Sequence, residues 1–169
     1  MDKALFLDRD GIINEDTGYI SDISEIVFNF DIFNVCRTAI AFGYKIIVVT
    51  NQSGITKRLY TGDDVIEIHN WISNIFEMLR IPITAFYYCP FDTDVRCRKP
   101  NPGMILQAVD EHNIDISRSL MVGDKPSDRI KLDNLKSLIL YSEYTGDDYD
   151  ISEISEIEDY LTIYSEDCD

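Results

Sequence analysis

Two acids stand two residues apart in Asp8-Arg9-Asp10-Gly11, directly behind the apolar run Ala4-Leu5-Phe6-Leu7. Chemically apt groups recur in three later segments: Thr50-Asn51-Gln52-Ser53-Gly54, Arg98-Lys99-Pro100-Asn101-Pro102-Gly103, and Gly123-Asp124-Lys125 with Asp128 shortly after it. Each segment alone has an ordinary explanation: acids in a turn, a polar turn, a solvated basic turn, a helix cap. Together they suggest one chemistry. Carboxylates gathered in one place repel unless a hard cation lies among them, and Mg²⁺ takes oxygen ligands. A lysine and a hydroxyl offer donors to a phosphoryl group, whose charge must be stabilised during transfer. One carboxylate can attack phosphorus while the other moves the proton. The combination points to phosphate-ester hydrolysis.

The elements that must position these groups follow from periodicity. Ala4–Asp8, Lys45–Thr50, Ile83–Cys89, Ser119–Gly123 and Leu138–Tyr141 read as five buried strands. Between them Asp31–Phe42 reads as a helix stopped by Gly43. Asp63–Leu79 is the clearest helix, with Val65, Ile68, Ile72, Ile75, Phe76 and Leu79 on one face and Thr61 and Asp64 spaced as a capping box. Pro102–His112 opens with proline at a helix start, and Pro126–Leu135 reads as a helix after the fourth strand. This alternation predicts an α/β, Rossmann-like parallel sheet of about five strands with helices on both faces. Active sites in such sheets lie at the C-terminal strand ends, where all four segments fall. Two long connections, Arg9–Asn29 and Pro90–Asn101, are too short for a cap domain, and the first is expected to arch over the sheet. Ile151, Ile154, Ile157 and Leu161 predict a docked final helix. The expectation is one domain over 1–164 and a frayed acidic end over 165–169.

At these residues the sequence resembles the haloacid-dehalogenase superfamily of aspartyl-phosphate phosphatases. Within it, the chain is similar to the cap-less branch of heptose-bisphosphate and histidinol-phosphate phosphatases. The resemblance runs from about Ala4 to Tyr141. It is carried by Phe6-Leu7-Asp8-Arg9-Asp10-Gly11, Val48-Val49-Thr50-Asn51-Gln52-Ser53-Gly54, Tyr87-Tyr88-Cys89-Pro90, Cys97-Arg98-Lys99-Pro100-Asn101-Pro102-Gly103-Met104 and Met121-Val122-Gly123-Asp124-Lys125. Gly18-Tyr19, Gln52-Ser53-Gly54 and Pro102-Gly103-Met104 favour the heptose side, which implies a sugar bisphosphate, heptose 1,7-bisphosphate, as substrate. The resemblance implies Asp8 as nucleophile, Asp10 as general acid and then base, and Thr50 and Lys99 as stabilisers of the phosphoryl group. It implies Mg²⁺ held by Asp8, the backbone carbonyl of Asp10, and Asp124. Asp16, Thr17, Gly18, Tyr19, Asn51, Gln52, Ser53, Arg98 and Lys125 would bind substrate. Asp128 is expected one layer out, orienting Lys125 or a metal-bound water.

The chain also departs from that pattern. Members commonly hold a structural zinc through Cys-x-His and Cys-x-Cys pairs. Here those positions read Cys89-Pro90-Phe91 and Val95-Arg96-Cys97. Two thiolates cannot close a tetrahedral site alone, so Cys89 and Cys97 are expected as free thiols without zinc, in a loop held by packing. His69 and His112 sit in predicted helices with no second histidine at ligand spacing.

Composition bounds the remaining choices. The 169 residues carry a net charge of −16, which argues against a nucleic-acid backbone or an anionic membrane as partner. Eleven of the 31 acids lie between Glu143 and Asp169, where there is no lysine or arginine, so the rest of the chain is only mildly acidic. No signal-peptide core or spanning run is present, and four scattered cysteines form no dense framework. These features predict a monomeric, cytoplasmic enzyme with reduced thiols, acting on a small phosphorylated sugar. The rival from another class is a phospho-accepting signalling domain, which places its acceptor Asp after a middle strand. In this chain the acid pair straddles the first strand end, which sets a proton shuttle beside a nucleophile. A catalytically dead paralogue is disfavoured because no core catalytic position is missing.

Overall fold

A computed structural model describes residues 1–163, so Cys168 and the expected frayed end over 165–169 lie outside the described residues. Five strands, β1 (Lys3–Leu7), β2 (Tyr44–Asn51), β3 (Ile83–Cys89), β4 (Leu120–Gly123) and β5 (Lys136–Ile139), form one parallel sheet in the order β3-β2-β1-β4-β5. The order reverses at β1, so the crevice between its C-terminal end and those of β2 and β4 is the switch point where ligands bind.

Alternation of side chains across the pleat splits the core into two layers. Leu5, Leu7, Ile46, Val48, Leu120, Val122 and Leu138 point to one face. There they meet α1 (Asp31–Ala41), α2 (Gly62–Met78) and α4 (Ile157–Ile163) through Ile32, Val35, Ile68, Ile72, Phe76, Ile157 and Leu161. Ala4, Phe6, Ile47, Val49 and Met121 point to the other face, against Met104, Ile105 and Ala108 of α3 (Gly103–His112). The Thr61–Asp64 capping box forms as its spacing implies, each partner bonding the other's backbone N–H. Ile151, Ile154, Ile157 and Leu161 are all buried, and α4 docks against α1 within the same core layer, as their period predicts.

The connection after β1 contains only a 3-10 turn, Ile23–Glu25, and folds back on itself. Glu15 N–H donates to Val27 and Asn29 N–H to Ile13, while Ile12, Ile13 and Ile20 plug into the core. No cap domain is inserted among the described residues. Nor is any helix there long and apolar enough to cross a membrane.

Two expectations are corrected. The predicted helix Pro126–Leu135 is only a 3-10 turn, Pro126–Asp128. Its backbone donors are committed elsewhere: Ile130 N–H donates to Ser137 Oγ and Lys131 N–H to the Pro100 carbonyl. Cys89 and Cys97 are joined in a disulfide rather than free. Cys89 ends β3, and the short loop returns Cys97 to a Cα separation of 5.5 Å, within the range that a disulfide spans. The loop is thus closed covalently rather than by packing alone; Val95 lies against the α3-side core, and Asn101 Nδ2 donates to the Val95 carbonyl.

Candidate active site

The residue after each of three strands, together with the turn after β3, delivers a polar group to one edge of the sheet. Asp8 follows β1 and continues its ladder, donating its N–H to Val122 of β4. Gly11 then turns the chain at φ +93°, and a Cβ there would collide with the Asp124 carboxylate. The segments singled out in the sequence thus meet because β1, β2 and β4 are adjacent.

The centre is a cluster of four buried charges. Lys99 Nζ lies 2.6 Å from Asp128 Oδ1 and 3.1 Å from Asp8 Oδ1. Carboxylate oxygens of Asp8, Asp124 and Asp128 all fall within 4.8 Å of one another. Burial, with Asp128 and Asp10 nearby and Lys99 opposing, pushes the Asp8 carboxyl up to about 6. Burial and the Asp8 charge push Asp124 up to about 8, and its Oδ1 is buried without a hydrogen-bond partner. Burial works against the Lys99 charge, but Asp128 and Asp8 outweigh it and raise its pKa. Three acids and one base leave an excess of negative charge in a dry place. An oxygen-only donor set with one orphaned carboxylate oxygen fits a hard divalent cation such as Mg²⁺.

Asp128 lies at the junction of this cluster. Its Oδ2 accepts the Lys125 N–H at 3.0 Å while Oδ1 holds Lys99. It therefore orients Lys99 and the Lys125 backbone, not the Lys125 ammonium, which pairs instead with Asp16 at 2.7 Å. Asn51 grips the Lys99 backbone from the other side, accepting its N–H at 3.0 Å and donating to its carbonyl at 3.2 Å.

Asp10 is held in a cage of donors. Arg9, fully buried, donates to it at 3.0, 2.8 and 2.9 Å, Asn14 Nδ2 at 3.0 Å and Gln52 Nε2 at 3.0 Å. Burial alone would raise its pKa, but the Arg9 guanidinium and these hydrogen bonds hold it below the usual carboxylate value. Gln52 also donates to Thr50 Oγ1 at 2.9 Å and accepts from the Tyr60 hydroxyl at 2.6 Å. Behind Arg9, the His69 ring stacks on Phe86, and its Nε2 lies 3.4 Å from the guanidinium. Burial, with Arg9 adjacent, lowers the His69 pKa to about 3, so the neutral ring accepts.

These groups open into a cleft of about 300 Å³. Asp8, Asp10, Asp16, Gly18, Tyr19, Thr50, Asn51, Gln52, Ser53, Arg98, Lys99 and Lys125 line it, as the sequence reading placed them. Thr17 is not among the lining residues. Asp124 and Asp128 sit beneath the floor. Tyr60, Ser127 and Tyr144 line the cleft without having been anticipated. Arg9, Asn14 and His69 were missed as well. In the sequence Arg9 is only the spacer of D-x-D, and the one available signal is an arginine just past the apolar run Ala4-Leu5-Phe6-Leu7, where a charge needs a partner. Arg98 lies on the rim, with Nη1 donating to the Phe91 carbonyl at 2.8 Å.

Comparison with known proteins agrees with this geometry. Residues 10–155 match the polynucleotide kinase 3 phosphatase family. The chain is 44% identical over 135 residues to the D-glycero-alpha-D-manno-heptose-1,7-bisphosphate 7-phosphatase of Burkholderia mallei, covering 75% of this chain and 71% of that protein. It is 42% identical over 131 residues to the corresponding beta-heptose phosphatase of Helicobacter pylori, covering 76% of each. Among solved structures, a putative haloacid-dehalogenase-like phosphatase from Mesorhizobium loti superposes with a TM-score of 0.80 at 30% identity, over 96% of this chain and 86% of that one. The D,D-heptose 1,7-bisphosphate phosphatase of B. bronchiseptica, complexed with magnesium and phosphate, shares the fold with a TM-score of 0.81 at 19% identity, over 95% and 98% of the two chains.

Proposed function

The chain belongs to the haloacid-dehalogenase-type phosphatases, and from that membership we propose that it removes the 7-phosphate of D-glycero-D-manno-heptose 1,7-bisphosphate through an aspartyl-phosphate on Asp8. The observation that carries the chemistry is the burial of Asp8 between Lys99 and Asp124, with its Oδ1 only 3.1 Å from the Lys99 ammonium. In the first half-reaction an Asp8 oxygen attacks phosphorus, and the bond to the sugar oxygen breaks as Asp10 supplies its proton. In the second, water attacks the same phosphorus, Asp10 takes the proton, and Asp8 is released unchanged. Thr50 and Lys99 donate to the phosphoryl oxygens as charge spreads over them. Mg²⁺, held by Asp8, the Asp10 backbone carbonyl and Asp124, would supply positive charge against the same oxygens. The donor cage holds Asp10 as the anion that the second half-reaction needs, so the first requires a proton to arrive with the substrate or from solvent.

Support for the substrate comes from the names of the relatives and from the rim. Asp16, Gly18, Tyr19, Asn51, Gln52, Ser53 and Lys125 would meet sugar hydroxyls, and Arg98 stands free of the reacting phosphate to take the distal one. The relatives carry both anomeric names, so both anomers belong in the assay. The same reading takes residues 1–164 as one domain, a cytoplasmic monomer without structural zinc, nucleic acid or membrane partner. The charge of −16 and the loss of two of four zinc-ligand positions support it. The test is kcat/KM measured side by side. Heptose 1,7-bisphosphate is expected to exceed histidinol phosphate and hexose phosphates by roughly tenfold, about 1.4 kcal/mol, and Arg98→Ala to erase much of that margin. Histidinol phosphate turned over faster would refute the assignment and leave only the phosphatase chemistry.

A further inference from the structure

Tyr144 lies in the segment after β5, beyond the motifs that mark the phosphatase chemistry, yet the residue lines the catalytic cleft and is 46% exposed. The Lys125 ammonium sits over that ring at 4.7 Å from the centroid and pairs on its other side with Asp16. Carboxylate, ammonium and ring thus form a continuous row along one edge of the cleft.

The segment that carries the ring is built rather than loose. Ser142 Oγ donates to the backbone carbonyl of Asp124, and Tyr144 N–H donates to the same Oγ at 3.2 Å. Ser142 N–H donates to Thr145 Oγ1 at 3.1 Å, and Thr145 is buried. Arg129 anchors the far end through Asp148 at 2.7 Å and Asp150 at 3.1 Å. The ring is therefore referenced, through Ser142, to the backbone of Asp124, a carboxylate of the buried cluster.

We infer that Tyr144 is a specificity-determining residue. Its exposed face receives the C–H face of the carbohydrate, while Lys125 and Asp16 beside it take the hydroxyls. With no cap domain among the described residues to close over the substrate, a fixed aromatic wall is one means of selecting a leaving group with carbon faces and hydroxyl edges. The inference rests on the sugar-phosphate reading above and names the wall of that same site. Acetyl phosphate, whose acyl group presents no such face, shares only the phosphoryl half of the cleft.

The experiment compares steady-state kinetics of wild type, Tyr144→Phe, Tyr144→Leu and Tyr144→Ala. The substrates are acetyl phosphate and whichever carbohydrate phosphate of a panel the wild type hydrolyses best. The ratio of kcat/KM for the carbohydrate over acetyl phosphate is expected to fall at least fivefold in Tyr144→Ala and Tyr144→Leu, mainly through KM, and to hold within twofold in Tyr144→Phe. An equal loss on both substrates would overturn the inference, because the ring would then act only through Lys125 on the shared phosphoryl site. A loss in Tyr144→Phe as large as in Tyr144→Ala would overturn it too, by assigning the effect to the hydroxyl. If histidinol phosphate beats heptose bisphosphate, the substrate assignment falls while this comparison still decides the role of Tyr144.

Discussion

Removing the divalent cation should make the protein lose stability as pH rises, because its catalytic carboxylates are then ionised against one another. The folded state raises Asp8 from 3.8 to about 6 and Asp124 from 3.8 to about 8. A carboxyl raised on folding contributes stability that is fully present below its unfolded value and is lost as pH climbs through the folded value. The window is therefore pH 4 to 8, steepest below pH 6, where both carboxyls are still protonated in the folded state, and carried by Asp124 alone above it. At roughly 1.4 kcal/mol per pH unit, the rise at Asp124 sets a ceiling near 6 kcal/mol. The two carboxylates share one repulsion, so Asp8 does not add its full share, and a fall of about 3–6 kcal/mol is expected. At about 2–4 °C per kcal/mol for a chain of this size, that is a drop of roughly 10 °C in Tm. The assay is thermal unfolding followed by circular dichroism from pH 5 to 9, in EDTA and in excess MgCl₂. Mg²⁺ should add little at pH 5 and most at pH 8.5, since a ligand that binds the ionised site stabilises by mass action only where that site exists. Asp124→Asn should flatten the metal-free curve. A metal-free Tm that is level or rises across this range, or a Mg²⁺ effect independent of pH, would refute the placement of Asp8 and Asp124 around one cation.

Other consequences can be checked separately. A Cβ at Gly123 would fall on the Asp128 carboxylate, so Gly123→Ala should cost about 2 kcal/mol or more in urea unfolding and most of the turnover, by dislodging the Lys99 partner. Unreduced, denatured protein should show two reactive thiols rather than four, because Cys89 and Cys97 are paired. Four thiols without reductant would mean an open pair, and stoichiometric zinc by elemental analysis would mean a closed metal site. Tyr60→Phe removes the donor to Gln52 Oε1 and should cost about 1 kcal/mol of stability, read by the same urea titration.

Much of this molecule was legible in its sequence because the relevant signals are local. The five strands and α2 announce themselves by periodicity, and Thr61 and Asp64 fix the start of α2 through bonds spanning three residues. Asp8, Thr50, Lys99 and Asp124 were legible as a site because a parallel sheet brings successive strand ends to one edge. What escaped depends on partners distant in sequence. The stretch after Asp128 looked helical, but Ile130 and Lys131 give their N–H groups to Ser137 and Pro100. The Cys89–Cys97 bond follows from where a short loop returns, which composition does not encode. Arg9 could be read as a surface charge until the fold placed Asp10, Asn14 and His69 around it. Tyr144 belonged to an acidic stretch whose only pattern was a helix of isoleucines farther on.

Steady-state phosphate release from Asp8→Asn is the most direct measurement of all. The substitution keeps the shape of the side chain and removes the nucleophile, while leaving Lys99, Asp124 and the substrate rim in place. Activity below about one percent of wild type is expected at saturating Mg²⁺, with a circular dichroism spectrum unchanged. More than that one percent, in protein free of wild-type contamination, would contradict an aspartyl-phosphate at Asp8.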